Sequence, residues 1–285
     1  MQFEPQIKIK GRIFTHVDTQ RDGITAIYKD DTSYLRLGES KKIKKDLSLH
    51  KKMESFGFPV AKLLGEGEEN GVTYFVEESL GKECYGAIFK GETEQFQKIK
   101  DDTFDGFIEM CTRFAEAQLK TSTSEKDWKD FETGIHLDYL YRELPDWKDK
   151  ILIKFEEIKE RLSGFPFVIT HGDFSSFNIY PKGIIDLEDS FMGPAGYDLG
   201  ALVEHFNWFP ASRDYEIYQV YTFTKEMKSK LVAAFDDIYI AHGFPKISDY
   251  LDEFNFAKGI WHTVRMEKTP RIQEFRYAVL TSLLD

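Results

Sequence analysis

The chain has 285 residues, 41% of them hydrophobic and 31% charged, with a formal net charge of -11 at pH 7. That composition describes a globular chain able to bury a core, long enough for one large domain or two lobes. The acidic balance excludes the usual nucleic-acid binder, whose phosphate contacts need clustered Lys and Arg. No apolar run is long enough to cross a bilayer.

The polar, proline-broken start at Met1 to Pro5 does not resemble a signal peptide. Cys84 and Cys111 lie far apart, without metal-binding spacing, which suits a cytoplasmic chain. Residues 9–14, 23–28 and 33–37 alternate as three antiparallel strands, with Asp30 and Asp31 turning the last two. Residues 41–56 follow as a helix that brings Ile43, Leu47, Met53 and Phe56 near one face and ends at Gly57. Residues 60–64 and 72–76 read as a hairpin closed by a turn over 65–71. The lysines at 41–45 and 51–52 read as a solvated helix face and not a nucleic-acid patch. The strand pattern stops at 77–82, where Gly81 relaxes the backbone. Beyond it the sequence is mostly helical: 93–120, 137–142, 146–162, 195–209, 215–242, 248–266 and from 271 onward.

Set among those helices, His171-Gly172-Asp173 is followed five residues later by Asn178, and Asp186 ends the apolar stretch Gly183-Ile184-Ile185. Residues 167–170 deliver the loop as a strand, and residues 177–180 form a second strand. Pro181-Lys182-Gly183 turns the chain back to Asp186. This hairpin places Asn178 and Asp186 side by side, with Asp173 just outside them. Transfer of a phosphoryl group to a hydroxyl needs that trio. One carboxylate orients and deprotonates the hydroxyl, while an amide and a second carboxylate hold Mg²⁺ against nucleotide phosphates.

The loop, the following Ile185-Asp186-Leu187-Glu188-Asp189 and the stretch Gly193-Pro194-Ala195-Gly196-Tyr197-Asp198-Leu199-Gly200 resemble the aminoglycoside phosphotransferase and choline kinase-like family, relatives of the protein kinases. The resemblance implies an α+β, protein-kinase-like two-lobed fold. A small antiparallel sheet with one helix (1–80) would bind nucleotide, and a larger, mostly helical lobe (81–285) would carry catalysis and the acceptor. It implies Asp173 as catalytic base, Asn178 and Asp186 as Mg²⁺ ligands, and ATP or GTP as phosphate donor. His171 and Asp198 would support the loop.

Arg36 stands where the family places a basic residue for the α- and β-phosphates. Asp46 stands at the position of its helix partner, with Glu54 as a fallback. Aspartate is one methylene shorter than the usual glutamate, so an Arg36–Asp46 pair leans on arginine's reach. The connector holding Glu77 and Ser79 would offer backbone groups to adenine. A glycine-rich phosphate loop is missing, since only Gly23 closes the stretch between the first two strands. Phosphate contacts there fall to a few amides, helped by Thr19 or Arg21.

After Asp186 there is no room for an activation segment, because Asp198 arrives twelve residues later and no A-P-E motif follows. A small-molecule acceptor therefore fits, and a protein acceptor does not. By resemblance, residues 121–164 and 201–285 would form its pocket. Glu188, Asp189 and Glu204 are the acidic candidates, with His205, Trp208 and Trp261 beside them. Carboxylates suit an amino sugar, and tryptophan faces suit a quaternary or protonated amine. The sequence thus reads as an O-phosphotransferase for an aminoglycoside-like or other small hydroxylated, preferably cationic, acceptor. The alternative is a non-catalytic kinase-shaped protein that binds nucleotide or a small molecule. The identity of the acceptor, the choice between ATP and GTP, and the oligomeric state stay open.

Overall fold

The computed structural model describes residues 3–19, 23–69, 71–209, 221–265 and 270–284. Arg21 and the expected helix start at Tyr215 lie outside them.

Six strands form one antiparallel sheet in the order β1-β2-β3-β4-β6-β5: β1 (Gln6–Ile9), β2 (Arg12–Thr19), β3 (Thr25–Lys29), β4 (Ser33–Gly38), β5 (Leu63–Glu69) and β6 (Val72–Glu78). The stretch 9–14, expected as one strand, contains a hairpin turn. Ile9 pairs with Arg12, and Lys10 and Gly11 between them take φ of 47° and 83°, the two-residue turn whose twist matches its flanking strands. Lysine gives no hint of a left-handed backbone, so the turn was hidden in the sequence. Likewise 65–69 is strand and not turn, with a register shift between Leu63 and Gly65.

Strand alternation decides which side chains reach the site. On one face of the sheet Leu35, Leu37, Tyr74 and Val76 join Phe14, Ala26 and Tyr28 in a buried cluster. Period two sends their neighbours Arg36, Phe75 and Glu77 to the other face, and Arg36 lies directly opposite Phe75 in the β4–β6 ladder. There α1 (Ser40–Ser55) packs Ile43 and Leu47 against Phe75 and Leu63. Lys41, Lys44, Lys45, Lys51 and Lys52 are exposed on the outer side of α1, as a solvated face should be.

The remainder is mostly helical: α2 (Tyr85–Phe96), α3 (Asp101–Leu119), α4 (Trp128–Gly134), α5 (Leu137–Glu143) and α6 (Lys148–Arg161) come before residues 167–194. After them come α7 (Tyr197–Val203), α8 (Lys225–Ala241), α9 (Leu251–Arg265) and α10 (Pro270–Ser282). The single helix expected over 93–120 is two helices, broken where Gln97 turns left-handed at φ 59°. The helix expected over 195–209 is α7 followed by a short 3-10 turn, His205–Trp208. α3 carries Phe104, Phe107, Cys111, Phe114 and Gln118 on one buried stripe at three- and four-residue spacing. This stripe lies in a continuous core with Phe131, Phe155, Phe167 and Phe254. Among the described residues, no helix is long and apolar enough to cross a membrane.

Candidate active site

β7 (Phe167–Ile169) pairs antiparallel with β10 (Met192–Pro194) and ends at the loop. The loop then turns at Gly172, φ 81°, where an added Cβ would lie 2.2 Å from the Asp189 carbonyl oxygen. Both the backbone sign and the close approach require glycine. Asp198, buried in the first turn of α7, accepts the His171 N–H at 2.8 Å and the Gly172 N–H at 3.1 Å. It also accepts Gln118 Nε2 at 2.7 Å, and that same amide donates to the Ile169 carbonyl at 3.1 Å. Burial pushes the Asp198 carboxyl above its ordinary range, with the neighbouring His171 and its backbone N–H and with Lys258 pulling the other way. His171 closes the far side by donating from Nε2 to the Ile185 carbonyl at 2.8 Å, which ties the loop to the strand leading to Asp186. Phe174, just past Asp173, stacks on Phe114 with ring centroids 4.1 Å apart, an anchor of about 1 kcal/mol beyond its burial.

Past the loop, β8 (Ile179–Tyr180) and β9 (Gly183–Ile184) form a short hairpin. Its ladder is extended by Ile185 N–H to the Asn178 carbonyl at 3.0 Å, so Asn178 stands opposite Ile185, the residue before Asp186. Asn178 Nδ2 donates to the Asp173 carbonyl at 2.8 Å and to Asp173 Oδ2 at 3.3 Å. With its nitrogen turned to Asp173, its amide oxygen points elsewhere. Asp186 is left-handed at φ 67°, a backbone that costs about 1–3 kcal/mol for a non-glycine residue and clusters at functional sites. Burial raises its carboxyl pKa; Arg36 opposes the rise and Glu188 adds to it.

A cleft beneath α1 is lined by Arg36, Asp46, His50, Glu77, Asp186 and Glu188. Here the geometry departs from expectation. Arg36 Nε donates to Glu77 Oε1 at 3.3 Å and not to Asp46, because strand alternation puts Arg36 and Glu77 on the same face of adjacent strands. His50 of α1 lies beside the pair. Its Nε2 donates to the Ala61 carbonyl at 2.6 Å, and its Nδ1 lies 3.7 Å from Glu77 Oε2. Burial works against the Arg36 charge, yet Glu77 and Asp186 outweigh it and hold the guanidinium pKa up. Asp46 Oδ2 is buried without a hydrogen-bond partner, and burial raises that carboxyl despite Lys42 and Arg36 nearby. Glu54 is exposed on α1. In the connector the Glu78 and Ser79 N–H groups donate at 2.9 Å to the Lys62 and Thr32 carbonyls. The Ser79 amide expected to face adenine is thus engaged inside the sheet, and Glu77 acts through its side chain.

The model of the phosphotransferase enzyme family (APH) matches residues 22–228. The chain belongs to this family. The fold is similar to the apo form of a thermostable mutant of aminoglycoside phosphotransferase APH(4)-Ia, with TM-score 0.61 and 12% identity over 95% of this chain and 93% of that one. It is similar to aminoglycoside phosphotransferase APH(3'')-Id from Streptomyces rimosus in complex with ADP and streptomycin, with TM-score 0.55 and 11% identity over 87% of this chain and 92% of that one. A choline/ethanolamine kinase family protein from Mesorhizobium loti aligns with TM-score 0.50 and 16% identity over 95% of this chain and 88% of that one. Identities this low carry the fold alone. No curated protein matches the chain.

Within this phosphotransferase-family fold, the acidic residues expected to meet an acceptor are arranged differently. Glu188 accepts Lys42 of α1 at 3.1 Å and so belongs to the cleft beneath α1. Glu204 is held by Lys228 of α8 at 3.1 Å and by Asn207 at 2.5 Å. Asp189 stays beside the loop, its backbone against Gly172. Trp208 is fully buried and donates from Nε1 to Asn255 at 2.8 Å, which makes it a core residue. His205 is buried within the field of Asp173, Lys258 and Arg276, and burial first, then the two cations, push it down to about 4 against the pull of Asp173. Thr19 pairs its hydroxyl with His16 at 3.0 Å.

The sequence reading missed Gln118, the carboxylate role of Glu77, and Lys258. Two carried a signal: a glutamine four residues after Phe114 on an apolar stripe, and a lysine inside Phe256-Ala257-Lys258-Gly259-Ile260-Trp261. A polar group in a buried run asks for a partner.

Proposed function

We propose that this chain transfers the γ-phosphoryl group of ATP or GTP to a hydroxyl of a small molecule. The observation that carries the reading is the clamp on Asp173. Its loop is fixed by Asp198, and its carboxylate and carbonyl are both held by Asn178. In this reading Asp173 orients the acceptor hydroxyl and takes its proton. The acceptor oxygen bonds to the γ-phosphorus as the bond to the bridging oxygen of the leaving ADP or GDP breaks. Positioning supplies much of the rate, and a loop pinned by buried hydrogen bonds suits that task.

The Asn178 amide oxygen and the Asp186 carboxylate are hard oxygen donors at the end of the same hairpin, a donor chemistry that fits Mg²⁺, which these two residues would hold. Bound there, the ion neutralises charge developing on the phosphates. Arg36, paired with Glu77, presents a cation to the nucleotide. AMP-PNP with hygromycin B, and ADP with streptomycin, occupy two of the structures of similar fold, so amino sugars head the acceptor panel. Two of the three acids that favoured a cationic acceptor are engaged with lysines. The panel therefore also takes choline-type amines and neutral sugars.

The test is phosphotransfer from labelled ATP and GTP across that panel, for the parent and for Asp173→Asn. The variant should keep nucleotide binding and lose about 10²–10⁴ in turnover, the usual worth of a general base. Equal turnover in the two proteins would remove Asp173 from this role. Nucleotide binding without transfer or hydrolysis would favour the non-catalytic alternative.

A further inference from the structure

Lys258 of α9 is 2% exposed and lies outside the matched stretch 22–228. A buried ammonium survives only where its charge is answered, and the groups around Lys258 are those of the catalytic loop. Its Nζ donates to the Gly172 carbonyl and lies 4.0 Å from Asp173 Oδ1. On its other side the Trp261 ring centroid is 3.4 Å away, with Tyr197 at 5.8 Å. Asp198 meanwhile holds the Gly172 N–H. Gly172 is therefore gripped at both ends, by an anion at its N–H and by a cation at its carbonyl, and the next residue is Asp173.

We propose that Lys258 is a positioning residue, which fixes the Gly172 carbonyl and aims the Asp173 carboxylate at the acceptor hydroxyl. This rests on the phosphotransferase reading above. The grip comes from α9, far along the chain, so the catalytic loop is set by a helix that follows it by about a quarter of the sequence. A misplacement of about 1 Å at such a site costs on the order of 10² in rate. Lys258→Met keeps the stem on Trp261 and removes the charge, while Lys258→Arg restores a cationic donor.

Hydrolysis of Mg-ATP, with water as acceptor, serves as the assay, together with the best substrate of the panel and a thermal melt of each variant. Expected for Lys258→Met is kcat lower by about 10–100-fold, with nucleotide KM within about threefold of the parent. Lys258→Arg should recover part of the loss. The double variant Lys258→Met/Asp173→Asn should turn over no more slowly than Asp173→Asn alone, because a residue acting through Asp173 has nothing left to position. Should Lys258→Met not fold, Lys258→Leu, which likewise removes both charge and donor, carries the same comparison. The proposal is overturned by parental kcat in the neutral variant, by an arginine no better than methionine, or by losses that add in the double variant. Parental turnover in Asp173→Asn would instead sink the phosphotransferase reading itself.

Discussion

The two sides of Asp186 are built on different physics. On the catalytic-loop side a buried carboxylate, Asp198, meets two backbone N–H groups and the Gln118 amide at 2.7–3.1 Å. On the α1 side the contacts are between side chains: Arg36 to Glu77 at 3.3 Å, His50 to Glu77 at 3.7 Å and Lys42 to Glu188 at 3.1 Å. Backbone groups cannot retract, so the first side has one arrangement. Long side chains can exchange partners, so the second can give up a carboxylate when phosphate arrives. In the function proposed above, rigidity falls where a proton would be met at a fixed point, and exchangeable charge where a polyanion would enter and leave.

Asp198→Ala attacks the rigid side and should have the largest effect. It strands three donors, each worth about 1–3 kcal/mol when buried and unpaired. A loss of about 3–5 kcal/mol in urea unfolding is expected, with turnover falling too. A cost below about 1 kcal/mol would mean that the loop does not depend on this carboxylate.

The next effect belongs to His205, also on the buried side. Its folded pKa of about 4 lies below the unfolded 6.5. Between those values the unfolded chain holds a proton that the folded chain refuses, so stability is full above 6.5 and falls as pH drops toward 4. Going from pH 7 to pH 5 should cost the parent about 2 kcal/mol more than it costs His205→Gln. Parallel curves for the two proteins in urea titrations would refute this.

The smallest effect tests the exchangeable side. Glu77→Gln removes the carboxylate that phosphate must displace from Arg36 and should strengthen nucleotide affinity about tenfold, or about 1.4 kcal/mol. Asp46→Asn should stay within about threefold, because Arg36 pairs with Glu77. Calorimetric titration of both variants with Mg-ATP reads the difference. The reverse ranking would restore Asp46 as the partner.

Much of the rigid side was legible in the sequence. Asp173, Asn178, Asp186 and Asp198 sit in one stretch of chain, where short-range spacing fixes geometry, and the β8–β9 hairpin follows its turn residues. The rest depended on contacts made across long separations. Glu77 meets Arg36 through the register of β4 on β6, two strands 41 residues apart at this contact. Gln118 and Lys258 reach the loop from 55 residues before and 85 residues after Asp173, distances at which sequence pattern carries burial and not partners. The residues close together in the chain could be placed from the sequence, with Asp198 and His171 as supports by resemblance; the supports that come from distant segments could not.

The tight fit at Gly172 has an evolutionary consequence. With a left-handed backbone and the Asp189 carbonyl 2.2 Å from any added Cβ, this position is closed to other residues for as long as the fold lasts, whether or not the enzyme works. Asp173, half-buried and free of that steric demand, is held in the proposed reading chiefly by the reaction it serves. A descendant that loses transferase activity should therefore drift at position 173 while glycine persists at 172. The two neighbours thus form a clock pair, one recording the survival of the scaffold and the other the survival of the reaction.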